Sequence, residues 1–489
     1  MTLSRRRFLR STLLTVSGLM APDGALPALA AMAKGPRAIA PGYGPLVPDP
    51  VGLLDLPAGF DYRLLSPGVL GSQLEGARPP SQLSNGDPTP GLHDGMGAFP
   101  GPDGMTILVR NHEMNLGDGP AVDPTRARPY DRKVTGGTTT LWVDRDRNLV
   151  RSFASLSGTS RNCGGGETPW GSWLTGEEAV YMPLVPGANP ANADLDEGVE
   201  RPHGYVFEVD SRAEGLVDPV PLVAMGRFRH EAIAVDPKTG YAYLTEDRDD
   251  GLLYRFRPAA LDDGRRPAAL RPGDYARGGV LEALVVKGRP RLVTNNREQR
   301  AITPGRDRLA VEWVRIPDPD PAMDTLHPPG ETRRWVTAPT STRAQGWELG
   351  CAQFARTEGI EYARGSVYFC CTDGGPRQLG QVFRLDLRRQ SLSLMVEPEL
   401  DTVLDGPDNL CLAPNGDLVV CEDNLSRREN FVVGVTPDGR CYRIGRNAHP
   451  SRREIAGACF SADGRTLFVN VQEPGATFAI RGPWEKRRG

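Results

Sequence analysis

Among eight cysteines the chain has no CxxC pair and no zinc-ribbon spacing, which excludes a structural zinc module. It has no apolar stretch of 18 or more residues, so nothing reads as a membrane-spanning helix. No segment of any length carries a helical period, and aromatic residues make up only 7%. Basic residues are not in excess, 58 Lys and Arg against 61 Asp and Glu, which argues against a nucleic-acid partner.

What is present is glycine (57), proline (45) and 39% hydrophobic residues in 489, too apolar for disorder and turn-rich enough for an all-β protein. The N-terminus reads Ser4-Arg5-Arg6-Arg7-Phe8-Leu9, then an apolar run to Met20 and small-residue sites around Ala28 and Ala30. That order is a twin-arginine export signal over residues 1–30, implying the twin-arginine translocase as a transient partner and a periplasmic or secreted destination. Cleavage after Ala30 removes four arginines and one aspartate and takes the net charge from −3 to −6. Residues 31–50, rich in Pro, Gly and Ala, read as a linker or surface arm, and 51–489 as one β-propeller domain acting as a monomer.

Four residue pairs recur at a spacing of 15 or 16: Cys163 with Glu178, Glu231 with Asp247, Glu358 with Asp373, and Asp408 with Asp423. Each brackets an apolar strand, a Pro/Gly turn and a returning strand, so both members come back to one end of a hairpin. Two weaker copies run from Met96 to His112 and from Ala456 to Gln472; they lose the acids, although Asp94, Glu113 and Glu454 lie within two residues. Six β-repeats separated by insertions, the largest between Phe256 and Gln345, predict an all-β, six-bladed β-propeller with long inter-blade insertions. A pair of β-sandwiches is the alternative, but it would scatter the acids that a propeller gathers around an axis.

Carboxylates gathered at one mouth repel one another unless cations sit between them, and oxygen donors suit hard cations. On this reading Cys163, Glu231, Glu358 and Asp408 face the axis, with Glu178, Asp247, Asp373 and Asp423 in a ring outside them. Arg356, two residues before Glu358, can present a planar fork to a phosphate or simply neutralise acids. Asn162 and Gly164-Gly165-Gly166 would let amide and backbone groups approach a ligand. His112 and His230 read as packing or supporting residues, and Cys370, Cys371, Cys411, Cys421 and Cys459 as buried strand thiols.

The string from Asn162-Cys163-Gly-Gly-Gly through Trp170, Trp173 and Glu177-Glu178 resembles the signature of the PhoX-type alkaline phosphatases. So do His230-Glu231 with Thr245-Glu246-Asp247-Arg248, Arg356-Thr-Glu358-Gly359, and Asp408-Asn409-Leu410 with Cys421-Glu422-Asp423-Asn424. The resemblance implies an exported propeller that hydrolyses phosphomonoesters with two ferric ions and several calcium ions. Cys163 would bridge the irons, and Glu178, Glu231, Glu358 and Asp408 would bind iron or calcium. Asp247, Asp373, Glu422 and Asp423 complete the candidate ligands, and Arg356 would hold the phosphate with Asn162 beside it. A calcium-dependent propeller lactonase and a non-catalytic calcium-binding propeller are the rival readings; Cys163 and Arg356 argue against the lactonase. Trp170 and Trp173 belong to the core.

Overall fold

The repeated hairpins form because each turn is built from residues that close it locally. In the hairpin from Glu231 to Asp247, Asp236 accepts hydrogen bonds from Lys238 N (3.0 Å) and Thr239 Oγ1 (2.8 Å). Gly240 follows at φ +67°, a conformation few residues other than glycine adopt. The chain is described here by a computed structural model covering residues 40–68, 81–329, 331, 334–424 and 429–487. The export signal expected at residues 1–30 lies outside the described residues.

Six first strands define the architecture: β1 (His93–Pro100), β2 (Asn162–Glu167), β3 (His230–Val235), β4 (Thr357–Ala363), β5 (Pro407–Leu412) and β6 (Ile455–Phe460). Each pairs antiparallel with its returning strand, and each carries a register shift at the same place, after His93, Asn162, His230, Thr357, Pro407 and Ala456. A bulge adds a residue and re-aims its side chain. The residues turned this way are Asp94, Cys163, Glu231, Glu358, Asp408 and Gly457.

These six positions follow one another around a closed ring. A Cβ on Gly95 would lie 2.5 Å from Cys163 O, one on Gly164 2.5 Å from Glu231 O, and one on Gly359 2.6 Å from Asp408 O. Thr245 Oγ1 reaches Glu358 O (2.6 Å), Gly457 N reaches Asn409 Oδ1 (3.0 Å), and a Cβ on Gly457 would meet Asp94 O. Gly95, Gly164 and Gly359, each following a turned side chain, together with Gly457 are therefore what lets neighbouring strands approach. The three glycines after Cys163 serve this packing rather than a ligand, since a Cβ on Gly166 would run into Ile233 O and one on Gly165 into Leu174 O.

The arrangement is all-β and propeller-like, but the sheets are not six separate ones. Among the described residues four sheets have four or more strands and one, carrying β2, has three. The sheet of nine strands has β3 at one edge and β4 at the other, because Leu309–Arg315 and Ser391–Val396 pair across what sequence repeats place in different blades (Leu309↔Leu392, Ala310↔Ser391). Strand Asp61–Leu65 joins the β6 sheet as its outer edge, so early and late segments close the ring together.

Of the linker or arm expected at residues 31–50, residues 31–39 lie outside the described residues and 40–50 are anchored. Tyr43 is buried against Phe60, Tyr442 and Trp484, and Leu46–Val47 pairs with Leu54–Pro57. The long insertion contributes strands Gly279–Val286 and Leu309–Arg315 and a short α-helix, α1 (Thr342–Glu348), started by Ser341 Oγ accepting from Ala344 N. From α1 the fully buried Arg343 ties the insertion to Glu246 and Asp324.

Candidate metal centre

The same local geometry repeats at the mouth of the ring. The residue two before each turned side chain offers its carbonyl to the N–H of the residue that ends the hairpin: Leu92 to Glu113, Arg161 to Glu178, Arg229 to Asp247, Arg356 to Thr372 and Gly406 to Asp423, at 2.8–3.3 Å. Glu454 O receives Gln472 N in the β6 hairpin at 3.3 Å. The mouth thus has an axial ring (Asp94, Cys163, Glu231, Glu358, Asp408, Gly457), an outer ring (Glu113, Glu178, Asp247, Thr372, Asp423, Gln472) and a rim carrying three arginines.

Three groups of donor atoms lie within 4.8 Å of one another: Asp94, Glu113 and Cys163; Cys163, Glu178 and Glu231; and Glu231, Glu358 and Asp408. Cys163 belongs to the first two and Glu231 to the last two, so the groups adjoin. Both carboxylate oxygens of Glu231 are buried without a hydrogen-bond partner, as are Asp94 Oδ1 and Asp423 Oδ1. Orphaned buried oxygens are costly unless something cationic meets them.

Burial pushes the carboxyls of Glu231, Glu358, Asp408, Glu113 and Glu454 well above the usual range, and neighbouring carboxylates add to it. Asp94 rises to about 6, chiefly by burial, and the Cys163 thiol rises by desolvation and then by Asp94 and Glu231. Glu178 is the exception: burial opposes ionisation, but Arg161 and Arg229 outweigh it and its carboxyl is lowered. Multivalent cations would invert this pattern, holding the acids and the thiol deprotonated. The donor set fits: oxygen-only for Glu231, Glu358 and Asp408, mixed thiolate and carboxylate around Cys163.

Arg356, at φ +52°, grips Asp247 with Nε (2.8 Å) and Nη2 (3.0 Å) and Glu358 with Nη2 (3.0 Å). Arg161 is shared between Glu113 and Glu178. Of the residues expected in the site, Cys163, Glu178, Glu231, Asp247, Glu358, Asp408, Asp423 and Arg356 are brought together. Three are not. Asp373 sits one residue too far along: Cys371 is the paired residue, so Thr372 holds the outer-ring position, donating to Glu358 Oε1 (3.0 Å), while Asp373 pairs with Arg297 (2.9 Å). Glu422 is the paired residue before Asp423 and faces the other way, accepting from Asp405 N, Phe431 N and Arg443. Asn162 likewise precedes the bulge and is buried between Thr159 and Thr175.

The side chains missed as principal candidates are Asp94, Glu113, Glu454 and Gln472, whose amide bonds Glu454 Oε1 (2.6 Å) and Glu113. For Asp94 the signal was the ligand-plus-glycine dipeptide: Asp94-Gly95 matches Cys163-Gly164 and Glu358-Gly359, which aligns the first copy two residues earlier than Met96. His112 bonds Gly91 O and Thr139, and His230 packs at a tilt on Phe228, so both support the fold. Trp173 is buried and Trp170 packs on Tyr275. The five strand cysteines are buried and free.

The family described as alkaline phosphatase PhoX matches residues 41–475. No curated protein matches the chain. The solved structure of Pseudomonas fluorescens PhoX in complex with vanadate, a transition-state analogue, is similar with TM-score 0.63 and 18% identity, over 91% of this chain and 98% of that one. A gluconolactonase from Xanthomonas campestris is similar at TM-score 0.35 and 12% identity, over 91% and 100% of the two chains, too weakly to bear on function. No helix among the described residues is long and apolar enough to cross a membrane.

Proposed function

This chain belongs to the alkaline phosphatase PhoX family, which makes it a phosphomonoester hydrolase, and we propose that the acidic mouth is its active centre, loaded with iron and calcium. The observation that carries the proposal is Glu231, whose two buried, unpartnered oxygens stand between donor groups that share Cys163 on one side and Glu358 and Asp408 on the other. A thiolate shared by two groups suits a pair of ferric ions, and the carboxylate-only group suits calcium. Glu178, Asp247 and Asp423 complete the cluster from the outer ring, with Asp94, Glu113 and Glu454 added to it.

Ions held there by Cys163, Glu178, Glu231, Glu358 and Asp408 would supply positive charge to the phosphate oxygens. The protein's own part is to hold that charge in place and orient the ester for in-line displacement. Arg356 commits Nε and Nη2 to Asp247 and Glu358, which fixes the plane of its guanidinium and leaves Nη1 for a phosphate oxygen. We read the fold as six blades, the nine-stranded sheet holding two joined at their outer edges; the closed succession of β1 to β6 supports that count. The N-terminal motif supports export by the twin-arginine route to the periplasm or beyond, which lets the protein fold around its metals before crossing.

Metal analysis of the purified protein, paired with hydrolysis of a chromogenic phosphomonoester, tests the centre. Iron and calcium together, with turnover lost on chelation and restored by adding the metals back, is the expected result. Calcium without iron in an active enzyme would refute the thiolate-bridged pair, and turnover that survives complete metal removal would refute the centre itself.

A further inference from the structure

Three consecutive hairpins place an arginine at the same position, two residues before the turned side chain: Arg161, Arg229 and Arg356. They are not used alike. Arg161 is shared by Glu113 and Glu178, and Arg356 by Asp247 and Glu358. Among the described residues Arg229 has only Glu178, with Nη1 3.8 Å from Oε1, beyond hydrogen-bond distance, and its Nε is buried without a partner. Its backbone is nevertheless fixed, since its carbonyl accepts from Asp247 N (3.3 Å). The fork is thus held at the mouth with its donors uncommitted.

A second positive charge stands close by. Arg248, on the other side of Asp247 in the same hairpin, lies near enough for its charge and that of Arg229 to oppose each other. Arg248 is anchored by Asp324 (3.2 Å) and by the ring of Trp335 (4.5 Å), yet its Nε is also buried and unpartnered. The uncommitted donors of Arg229, beside a cluster of cation-binding oxygens, suit an anion.

We propose that Arg229 is a phosphate-contacting catalytic residue: it takes an oxygen of the phosphoryl group lying over the Cys163, Glu178 and Glu231 donors, with Arg248 reinforcing the local positive field. The proposal rests on the phosphatase reading above. It divides the work of the rim. Arg161 positions carboxylates, Arg356 positions Asp247 and Glu358 while keeping Nη1 for the phosphate, and Arg229 adds a second fork whose donors are not taken by acids, a planar geometry that lysine cannot reproduce.

The test uses the full metal-loaded enzyme and its Arg229→Ala and Arg229→Lys variants, with p-nitrophenyl phosphate as substrate and inorganic phosphate as competitive product. Removing a charge-assisted contact is expected to weaken phosphate inhibition and lower kcat/KM on the order of tenfold to a hundredfold, with Arg229→Lys recovering part of the loss. Metal content and the urea midpoint should match the parent, a combination that a purely structural arginine would not give. Unchanged phosphate inhibition and kcat/KM in Arg229→Ala would overturn the assignment while leaving the phosphatase reading intact, as would a defect that tracks lost metal. A metal-loaded parent that neither turns over the ester nor binds phosphate by calorimetry would remove the phosphatase reading, and the role of Arg229 with it.

Discussion

Replacing Gly164 with Ala should damage both the fold and the centre through a single methyl group. A Cβ at this position would lie 2.5 Å from Glu231 O and 2.7 Å from Glu231 Oε1. The side-chain oxygen can swing away, but the carbonyl belongs to β3 and yields only if the inner strands separate. Overpacking of this kind costs about 2–3 kcal/mol or more where backbone must move. Gly215→Ala is the control: a Cβ there meets nothing within 4 Å, so its effect should stay within about 0.5 kcal/mol. Urea denaturation of both variants reads the stability, and metal analysis reads the displacement of Glu231. A Gly164→Ala protein that unfolds at the parental midpoint with its full metal complement would refute the close succession of inner strands on which the centre depends.

Cys163→Ser should lose the metals that share its sulfur and with them phosphatase turnover, because an alcohol stays protonated where a thiolate is needed; full iron and normal rates would count against the shared-donor arrangement. Arg356→Ala should lower kcat on the order of 100-fold, with Arg356→Lys restoring only part, since lysine cannot hold Asp247 through two donors; steady-state kinetics with parallel metal analysis separates this from metal loss, and parental rates would argue against any role in the reaction. His203 sits between Glu177 (2.6 Å) and Asp131 (3.4 Å): burial favours the neutral ring, but the two carboxylates outweigh it and raise the imidazole to about 9. Its contribution is therefore fully present below the unfolded value near 6.5 and lost as pH rises through about 9, at most about 3 kcal/mol. The difference in unfolding free energy between parent and His203→Gln should shrink from pH 6.5 to 10, and a constant difference would contradict a protonated His203.

The sequence by itself determined the hairpins, their common end and the chemistry gathered there, because these are local properties. Apolar alternation makes the strands, Asp, Pro and Gly make the turns, and a spacing near 15 returns both ends to one place. Cys163, Glu231, Glu358 and Asp408 could be placed at the axis on that basis alone. Tertiary structure decided what depends on register and on neighbours. A bulge at each axial position shifts which residue of a hairpin faces the mouth, so Thr372 replaces Asp373, Glu422 turns away while Asp423 faces in, and Asp94 and Glu113 enter in place of Met96 and His112. A one-residue change of register sends a side chain to the opposite face, and spacing along the chain cannot resolve that step. The joining of two sheets through Leu309 and Leu392, and the contrast between the committed Arg161 and Arg356 and the open Arg229, likewise arise from contacts between segments far apart in sequence, which no local pattern encodes.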